Sequence, residues 1–355
     1  MFFLLGITAL AAAQQALPFQ VISRGESSGT YQAFPDACRL KNGEIVSVFY
    51  AGYGHVSLPS ADWPKGGRIC MVRSSDEGRN WSAPEVLFDD GDDNRDPHIA
   101  QLDDGSLVCT FFSWHMDGPK LNKSSDFTWK IFNQRAHGTG TQMVRSTDNG
   151  RTWGKTAQSI NKDWYCSAPV RQLPDGTCLL GLYQEDRKTK SGWGGVTRST
   201  DHGQSWSEPS PIGKGQNLPL DAETDLIRLK DGTIFAALRS SKINMHYATS
   251  ADDGKTFSDA RDIGFKAHCP HLNRLSTGEI VLAHRLPNTS IHVSSDEGKT
   301  WRGPYEIDSV IGAYPATVEL KDHTILIMYY SEGERSAIRA MRFQLKPEGI
   351  ERLAF

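Results

Sequence analysis

The 355-residue sequence lacks several patterns that would point to particular protein classes. It has no basic tract of the kind that binds nucleic acid and, beyond residue 13, no apolar run of about 18 residues that would span a membrane. Its six cysteines form no C-x-x-C pair and no Cys/His metal spacing, and no EF-hand loop is present. We therefore expect no metal, no cofactor, no nucleic-acid partner and no membrane span.

The cysteines lie mostly inside apolar runs such as TCLLGLY. This placement favours buried free thiols over a disulfide framework, since an unpaired cysteine behaves as a small apolar residue. A bridge between neighbouring strands is the alternative.

The first 13 residues, MFFLLGITALAAA, carry no charged side chain and end in small residues. This pattern is typical of a secretory signal peptide, although no Lys or Arg precedes the apolar run. The sequence thus predicts a signal peptide over 1–13, a single domain over 14–355 and a secreted or periplasmic location. A buried N-terminal strand is the alternative.

An octapeptide of pattern S-x-D-x-G-x-x-W/F occurs five times. The aspartate can bond the backbone two residues on, the glycine accepts a left-handed angle, and the aromatic ring folds back over the turn. Each copy is therefore predicted to be a self-contained turn between two strands, with no catalytic role. The aspartates are Asp76, Asp148, Asp201, Asp252 and Asp296.

A second pattern, L-x-[D/N]-G-x-[I/L], runs out of phase with the first. Each copy lies between apolar runs and predicts a hairpin, and its turn positions are Gly43, Gly105, Gly176, Gly232, Gly278 and, in the sixth copy, His323. One such hairpin followed by a second that carries the octapeptide gives four strands, the pattern of a propeller blade. Six units predict an all-β, six-bladed β-propeller, with the run LPFQVIS completing the last blade and closing the ring.

In five of the six units a proline precedes the hairpin turn by seven or eight residues. If the strand that starts there is innermost, the residue before it faces the central channel. The far end of the hairpin returns to the same mouth, because the two strands are antiparallel. The residues predicted at this mouth are Asp96, Glu223, Arg239, Arg285 and Tyr314, with Arg95, His98, Asp221, Asp225, His268 and His271 nearby.

These residue types suit an anionic substrate. Two guanidinium groups can grip a carboxylate, although each arginine could instead pair with an acid, as Glu223 could with Arg239. Glu223 beside Tyr314 suggests a base that activates a phenol, unless the tyrosine only packs on its neighbouring proline. Asp96 is a general-acid candidate or a turn residue, and His268 and His271 contact a sugar or are structural.

The two repeats resemble the Asp-box, or BNR, repeats of the sialidase superfamily, over essentially the whole chain after residue 13. The stretch DAETDLIRLKDGTIFAALR resembles the family's glutamate and arginine, which implies roles for Glu223 and Arg239. EIVLAHR implies a second carboxylate-binding arginine, Arg285, and AYPATVELKDH implies Tyr314 as the nucleophile. The resemblance implies retaining hydrolysis, in which a neutral phenol avoids repulsion by the substrate carboxylate.

The sequence departs from the family in the first blade. The arginine motif expected there is replaced by TYQAFPDA, in which Gln32 precedes an alanine. Arg68 or Arg95 is predicted to substitute for the missing arginine, and Gln32 and His98 are predicted to line the substrate site. The family's acid/base aspartate comes from the loop after the first hairpin, where Asp62 is the only carboxylate. We assign Asp62 to that role, with Asp96 as its competitor.

The favoured function is a secreted, monomeric exo-glycosidase, an atypical sialidase acting on a sialylated glycan or another acidic carbohydrate. One alternative is a hydrolase or lyase acting on uronic-acid polymers, for which His268, His271 and Tyr314 offer a proton-transfer pair. Another is a non-catalytic glycan-binding propeller. The missing arginine favours the alternatives, whereas the trio of Glu223, Arg239 and Tyr314 favours the sialidase.

The segment 113–140 is longer than a hairpin requires. Its aromatic residues Trp114, Phe127, Trp129 and Phe132 are predicted to wall an aglycone subsite, because sugars stack on aromatic rings. An extra hairpin packed on the blade is the alternative.

Overall fold

Six antiparallel sheets follow one another along the chain in a computed structural model that describes residues 19–25, 28–186, 191–310, 312–333 and 336–355. The predicted signal peptide, 1–13, lies outside the described residues. The strands are β1 (Gln20–Arg24), β2 (Tyr31–Arg39), β3 (Ile45–Gly52), β4 (Arg68–Ser74), β5 (Glu85–Phe88), β6 (Asp93–Gln101), β7 (Leu107–Met116), β8 (Ala136–Ser146), β9 (Gln158–Asn161), β10 (Tyr165–Cys166), β11 (Arg171–Gln172), β12 (Cys178–Asp186), β13 (Ser191–Ser199), β14 (Ser210–Ile212), β15 (Thr224–Arg228), β16 (Ile234–Leu238), β17 (His246–Ser250), β18 (Arg261–Asp262), β19 (His268–Arg274), β20 (Ile280–Arg285), β21 (Thr289–Ser294), β22 (Arg302–Asp308), β23 (Gly312–Glu319), β24 (Ile325–Ser331), β25 (Ala337–Lys346) and β26 (Gly349–Leu353).

Each sheet is one blade. Blades 1 to 5 are formed by β2–β5, β6–β9, β10–β14, β15–β18 and β19–β22, and blade 6 by β23–β25 with β1 and β26. The first strand of each blade is innermost: β2 contacts β6 and β23, and β19 contacts β15 and β23. The fold is therefore a six-bladed β-propeller, and the predicted fold class is confirmed.

The ring is closed by the N-terminal strand. β1 pairs antiparallel with one half of β25, with Gln20 opposite Ala340. β26 pairs with the other half, where Arg342 lies opposite Leu353. The outer edge of β25 is thus covered along its length, which removes an exposed strand edge. The described part of the predicted closing run lies where the sequence indicated.

Both repeats form the predicted turns. In the hairpin repeat, the backbone N–H at the turn position donates to the leucine carbonyl three residues earlier, at 2.8 to 3.0 Å in all six copies. His323 adopts φ +63°, so it takes the left-handed conformation of the glycines at equivalent positions. The octapeptides connect the last two strands of each of blades 1 to 5. Because strand directions alternate, both kinds of turn lie at the end of the propeller opposite the predicted mouth.

Apolar cores fill the spaces between neighbouring blades. Val48 and Met71 of blade 1, for example, pack with Ile99 and Phe111 of blade 2, and all four are at most 2% exposed. All six cysteines are free, five of them buried and Cys38 half-buried, so the prediction of free thiols is confirmed.

The insertion over 113–140 extends the pair of strands β7 and β8 and ends in a short helical segment; it does not form a separate hairpin. β7 and β8 remain paired as far as Met116 and Ala136. Beyond that pair the chain forms a 3₁₀ turn, Ser124–Asp126, and a short helix, α1 (Trp129–Arg135). No helix within the described ranges is long and apolar enough to cross a bilayer.

Candidate active site

In four blades, a bulge in the inner strand places the residue before the proline at one mouth of the channel. The pairing register shifts at this point in blades 1, 2, 5 and 6. The residue before the proline then has positive φ, at Phe34 (55°), Asp96 (48°), Cys269 (53°) and Tyr314 (40°). Such bulges redirect a side chain, and unusual backbone angles are frequent at functional sites. Blade 4 has no proline there, and the positive angle falls on Ala222 (44°), next to Glu223.

Glu223, Arg239 and Tyr314 form a hydrogen-bonded trio at this mouth. The Tyr314 hydroxyl donates to Glu223 Oε1 at 2.7 Å. Arg239 Nη1 donates to the same carboxylate oxygen and to Tyr314 Oη, the latter at 3.2 Å. Burial and the charge of Glu223 help to raise the pKa of Tyr314 well above its usual value, so this phenol is neutral unless a base takes its proton.

Arg239 and Arg285, both at the mouth, differ in how their charge is balanced. Arg239 lies between Glu223 and Asp221, whose Oδ2 is 3.1 Å from Arg239 Nε. Arg285 donates to the Gly312 carbonyl at 3.2 Å, and its guanidinium carbon is 5.3 Å from the centre of the Tyr314 ring. Within the described ranges no carboxylate lies within ion-pair distance of Arg285. Its charge is therefore available to an anionic ligand.

Asp96 is buried at the axis beside the trio. Its side chain is 5% exposed, and Oδ1 has no hydrogen-bond partner among the described residues. Burial raises the pKa of Asp96 to about 6, Arg95 acts in the opposite direction, and Glu223 raises the pKa further. Asp96 is thus a carboxyl that gains a proton in a mildly acidic solution.

Arg95 and His268 also lie at the mouth, in different settings. Arg95 is buried, with Nη1 3.5 Å from Asp93 Oδ2, and its guanidinium lies 5.2 Å from the centres of the Phe34 and Tyr50 rings. It is already paired and stacked, so it is poorly placed to receive a substrate carboxylate. His268 is neutral at pH 7, because desolvation and the neighbouring arginines lower its pKa to about 4.

Three residues at the mouth were not among the predicted site residues. His55, in the loop after β3, is exposed and its ring lies 5.5 Å from that of Phe34. Its Nδ1 is 3.0 Å from Tyr31 Oη, and that hydroxyl donates to Glu332 Oε1 at 2.9 Å. His55 and Glu332 lie in loops between the second and third strands of their blades, which do not follow the repeat pattern, and Tyr31 begins β2, so the two repeats gave no signal for these residues.

His98 and His271 lie deeper in the channel and not at the mouth. His98 Nδ1 and His271 Nε2 approach the two oxygens of Asp36 at 3.5 and 3.4 Å. Burial alone would raise the pKa of Asp36, but the bonds from His271 and His98 outweigh it and lower the pKa. Residues of three blades therefore meet at Asp36, and the structure places His98 and His271 against this carboxylate and not with the trio of Glu223, Arg239 and Tyr314.

Asp225 also belongs to the channel. Its carboxylate accepts from Arg171 Nε at 3.1 Å and Nη2 at 2.6 Å, and from the backbone N–H of Leu272 at 2.6 Å. It thus joins blades 3, 4 and 5. A cleft of about 570 Å³ opens at the opposite end of the axis. It is lined in part by Arg171 and Arg228, and none of the mouth residues lines it.

Asp62 does not fit the predicted acid/base role. Its carboxylate accepts bonds from the Ser60 hydroxyl at 2.7 Å and from the Ser124 N–H and hydroxyl at 2.6 and 2.8 Å. The Ser60 bond first, and then those from Ser124, lower the pKa of Asp62 to about 2. A general acid needs the opposite shift, so Asp62 serves to tie its loop to the insertion.

Gln32 and Arg68 also lie outside the site. Gln32 is fully buried, and its Nε2 donates to the Gly25 carbonyl at 3.2 Å and to Ser28 Oγ at 3.3 Å, so the side chain faces the N-terminal segment. Arg68 lies over the Trp63 ring at 4.4 Å. Neither takes the place of the missing first-blade arginine.

The predicted aromatic wall is only partly present. Trp114 stacks with Tyr165 at 6.0 Å and 27°, beside a cleft of about 260 Å³ that Tyr183 also lines. Phe132 is buried in a small core with Val56 and Leu58, whereas Trp129 is 57% exposed. No group of three or more His, Cys, Asp or Glu in the described part of the chain is arranged to hold a metal ion.

A sequence profile described as a BNR repeat-like domain matches residues 120–328. The chain belongs to the BNR repeat-like domain family. No curated protein matches it by sequence. Among solved structures, this BNR repeat-like protein is similar to a Dyadobacter fermentans protein of unknown function, with 22% identity over 92% of this chain and 98% of the other and a TM-score of 0.74.

Two enzymes share the same architecture. The NanB sialidase of Streptococcus pneumoniae has 16% identity over 93% of this chain and 71% of its own, with a TM-score of 0.70. The intramolecular trans-sialidase of Ruminococcus gnavus has 14% identity over 92% and 96%, with a TM-score of 0.68. At these identities the likeness establishes the sialidase-like propeller fold, which hosts glycosidase-type and glycan-binding functions.

Proposed function

We propose that this BNR repeat-like protein is a secreted exo-glycosidase that releases terminal sialic acid from glycoconjugates, with Tyr314 as nucleophile. The observation that carries the proposal is the 2.7 Å hydrogen bond from the Tyr314 hydroxyl to Glu223 Oε1, with Arg239 donating to both groups. A nucleophile hydrogen-bonded to a base that is itself held by a third group is the signature of covalent catalysis. Secretion rests on the signal peptide predicted from residues 1–13.

The trio supplies the chemistry of the first step. As Tyr314 Oη attacks the anomeric carbon, its proton passes to Glu223, because the raised pKa of the phenol prevents attack without a base. Arg239 donates to Tyr314 Oη at 3.2 Å and stabilises the negative charge that develops there. A neutral phenol is favoured over a carboxylate nucleophile when the sugar itself bears a carboxylate next to the reacting carbon.

The substrate carboxylate is assigned to Arg285, assisted by Arg239. Arg285 is half-buried and carries the charge that no described carboxylate balances, whereas Arg239 is shared with Glu223 and Asp221. The solved sialidase and trans-sialidase of similar fold support this class of substrate. A fold alone does not select a substrate, so the assignment depends on the trio.

The test is hydrolysis of a 4-methylumbelliferyl sialoside by the full chain and by Tyr314→Phe. We expect release of the fluorophore by the wild type and a loss of at least about 1,000-fold in kcat for the variant, which keeps the ring but removes the nucleophile. The control is Tyr305→Phe, a half-buried tyrosine of the outer strand β22. Equal turnover by wild type and Tyr314→Phe, with unchanged melting, would exclude the tyrosine mechanism.

A second candidate is a lyase that cleaves uronic-acid polymers. The observation favouring it is the neutral His268 beside Arg239 and Arg285. Removing a proton from the carbon next to a carboxylate needs a base, and it needs a cationic side chain that binds the carboxylate. A lyase creates an unsaturated product that absorbs ultraviolet light, and a hydrolase does not. Cleavage of a polyuronate with rising absorbance, and none of the sialoside, would select the lyase; cleavage of neither would select a glycan-binding protein.

A further inference from the structure

His55 lies at the mouth and shares the neighbour Phe34 with Tyr314. The His55 and Tyr314 rings approach the Phe34 ring at 5.5 and 5.0 Å, both edge-on. Both rings therefore contact the same side chain, so His55 and Tyr314 belong to the same part of the mouth. Phe34 itself is 3% exposed, so the two rings pack on a buried side chain.

Tyr31 and Glu332 fix the hydrogen-bonding state of His55. Tyr31 Oη has one proton, which it donates to Glu332 Oε1 at 2.9 Å, and Glu332 Oε2 accepts from Tyr330 Oη at 2.8 Å. The 3.0 Å contact between Tyr31 Oη and His55 Nδ1 must then be donated by the imidazole N–H. This leaves the lone pair on Nε2, the ring atom available to a ligand, as in other sites where a partner selects the tautomer.

The loop that carries His55 is fixed on both sides. Arg95 Nη1 donates to the His55 carbonyl. Further along the loop, the Tyr53 hydroxyl donates to the Leu58 carbonyl at 2.9 Å, and Leu58 is fully buried against Phe132 of the insertion. The insertion and the buried arginine thus hold the position of His55, as a group that transfers protons requires.

We propose that His55 transfers the proton to and from the leaving group, and that Tyr31 and Glu332 position it. The inference rests on the proposed function. In the first step the protonated Nε2 donates its proton to the glycosidic oxygen as the C–O bond breaks, while the anomeric carbon bonds to Tyr314 Oη and the phenol proton moves to Glu223. In the second step water gives a proton to Nε2, its oxygen bonds to the anomeric carbon, and Tyr314 recovers its proton from Glu223.

His55 is better placed for this role than Asp96, the other titratable candidate. Asp96 is 5% exposed and lies deep at the axis beside Glu223. The leaving group of an exo-glycosidase points out of the mouth, where His55 is exposed. The proton donor must reach the leaving oxygen to about 3 Å, which favours the exposed group at the rim.

The charges around His55 predict how the reaction depends on pH. Desolvation and Arg95 lower the pKa of His55 to about 4, Glu332 raises it, and Arg285 lowers it. A substrate carboxylate bound to Arg285 cancels the last of these effects, so His55 holds its proton more firmly in the complex than in the free enzyme. Turnover of glycosides with poor leaving groups should therefore rise as the pH falls from 7 towards 5.

The experiment compares two sialosides of the same sugar, one with an alkyl and one with a 4-methylumbelliferyl leaving group. An aryl oxygen leaves with little protonation, whereas an alkyl oxygen requires an acid. We expect His55→Gln to lower kcat/KM for the alkyl sialoside by at least about 100-fold and for the aryl sialoside by less than about tenfold. Tyr31→Phe should show a smaller, similarly selective loss and a shifted pH profile, because the imidazole remains but loses its partner.

The matched control is His115→Gln, an exposed histidine on the lengthened β7 ladder, which should change neither rate. Equal losses on both substrates for His55→Gln, or no loss on either, would overturn the proposal. So would Asp96→Asn showing the leaving-group-selective loss in its place. A wild type inactive on both sialosides would instead refute the proposed function, and this inference with it.

Discussion

Five aspartates lie in the Asp-box turns at one end of the propeller, and five acids lie along its axis. Each turn aspartate accepts from a serine two residues earlier, at 2.7 to 2.9 Å, and from the backbone N–H four residues later, at 2.8 to 2.9 Å. The axial acids are Asp36, Asp93, Asp96, Glu223 and Asp225, all at most 5% exposed. The same functional group thus occurs five times in one local arrangement and five times in five different ones.

The partners of the two groups differ in distance along the chain. Every turn aspartate is satisfied within its own octapeptide, and these bonds lower the pKa in all five copies. Two of the axial acids bond instead to residues of other blades: Glu223 to Tyr314, 91 residues away, and Asp225 to Arg171, 54 residues away. The repeats therefore build the blades, and the chemistry depends on positions where the blades are not equivalent.

The largest effect should come from removing an axial acid that joins blades. Asp225→Ala leaves Arg171 and the Leu272 N–H without their buried acceptor, so we expect the free energy of unfolding to fall by about 3–5 kcal/mol. Denaturant unfolding measures it, with the exposed turn residue Asp231→Ala as control. A loss no larger than that of the control would mean that the ion pair between Asp225 and Arg171 contributes little to the free energy of unfolding. The axial acids would then not differ from the turn aspartates in their effect on stability.

A pH-dependent effect should distinguish Asp96 from the turn aspartates. The pKa of Asp96 is raised to about 6, so between pH 4 and 6 the folded protein binds a proton that the unfolded chain has already released. Stability should therefore fall with rising pH in this range, by at most about 1.4 kcal/mol per pH unit from this group. Asp96→Asn keeps a residue that tolerates positive φ and removes the charge, so it should raise the melting temperature at pH 8 and leave it unchanged at pH 4.

The turn aspartates have the opposite sign and serve as the comparison. Their lowered pKa means that their stabilising effect is present above pH 4 and lost as the pH falls below it. If the melting temperature of Asp96→Asn follows that of the wild type at every pH from 4 to 8, the axial carboxyl is ionised throughout. Asp96 would then be charged between pH 4 and 8, as the turn aspartates are.

A binding effect of intermediate size is expected from Arg285. Arg285→Ala should raise KM for an acidic glycoside by about 30-fold, corresponding to about 2 kcal/mol for a hydrogen bond to a charged group, with little change in melting temperature. Arg68→Ala, which removes a guanidinium stacked on Trp63 outside the site, is the control for charge and size. A collapse of the thermal transition in Arg285→Ala would assign the arginine to the framework.

The sequence predicts the fold because its two repeats encode turns within a few residues. Alternation of strands then locates Glu223, Arg239 and Tyr314 at one mouth, since each lies at a fixed distance from a turn. Residues in the loops that do not belong to either repeat are not encoded in this way. Asp62 is the only carboxylate of its loop, but a hydroxyl and an N–H of Ser124, 62 residues later, capture it.

The loop residues that replace it depend on contacts that no repeat predicts. His55 is positioned through Tyr31 by Glu332, 301 residues after Tyr31, and through its carbonyl by Arg95. Strand periodicity therefore gives the position of a residue in the ring and not its partner.

The smallest effect on stability should come from replacing a single turn aspartate. Asp296→Ala removes the acceptor of bonds from the Ser294 hydroxyl and from the Thr300 N–H and hydroxyl, all within SSDEGKTW. Four equivalent turns remain, and the site lies at the other end of the propeller. We expect the melting temperature to fall by only about 2–4 °C and kcat/KM for the glycoside to stay the same. A change in kcat/KM would mean that the turns influence the mouth through the blades. The turn aspartates would then affect catalysis as well as stability.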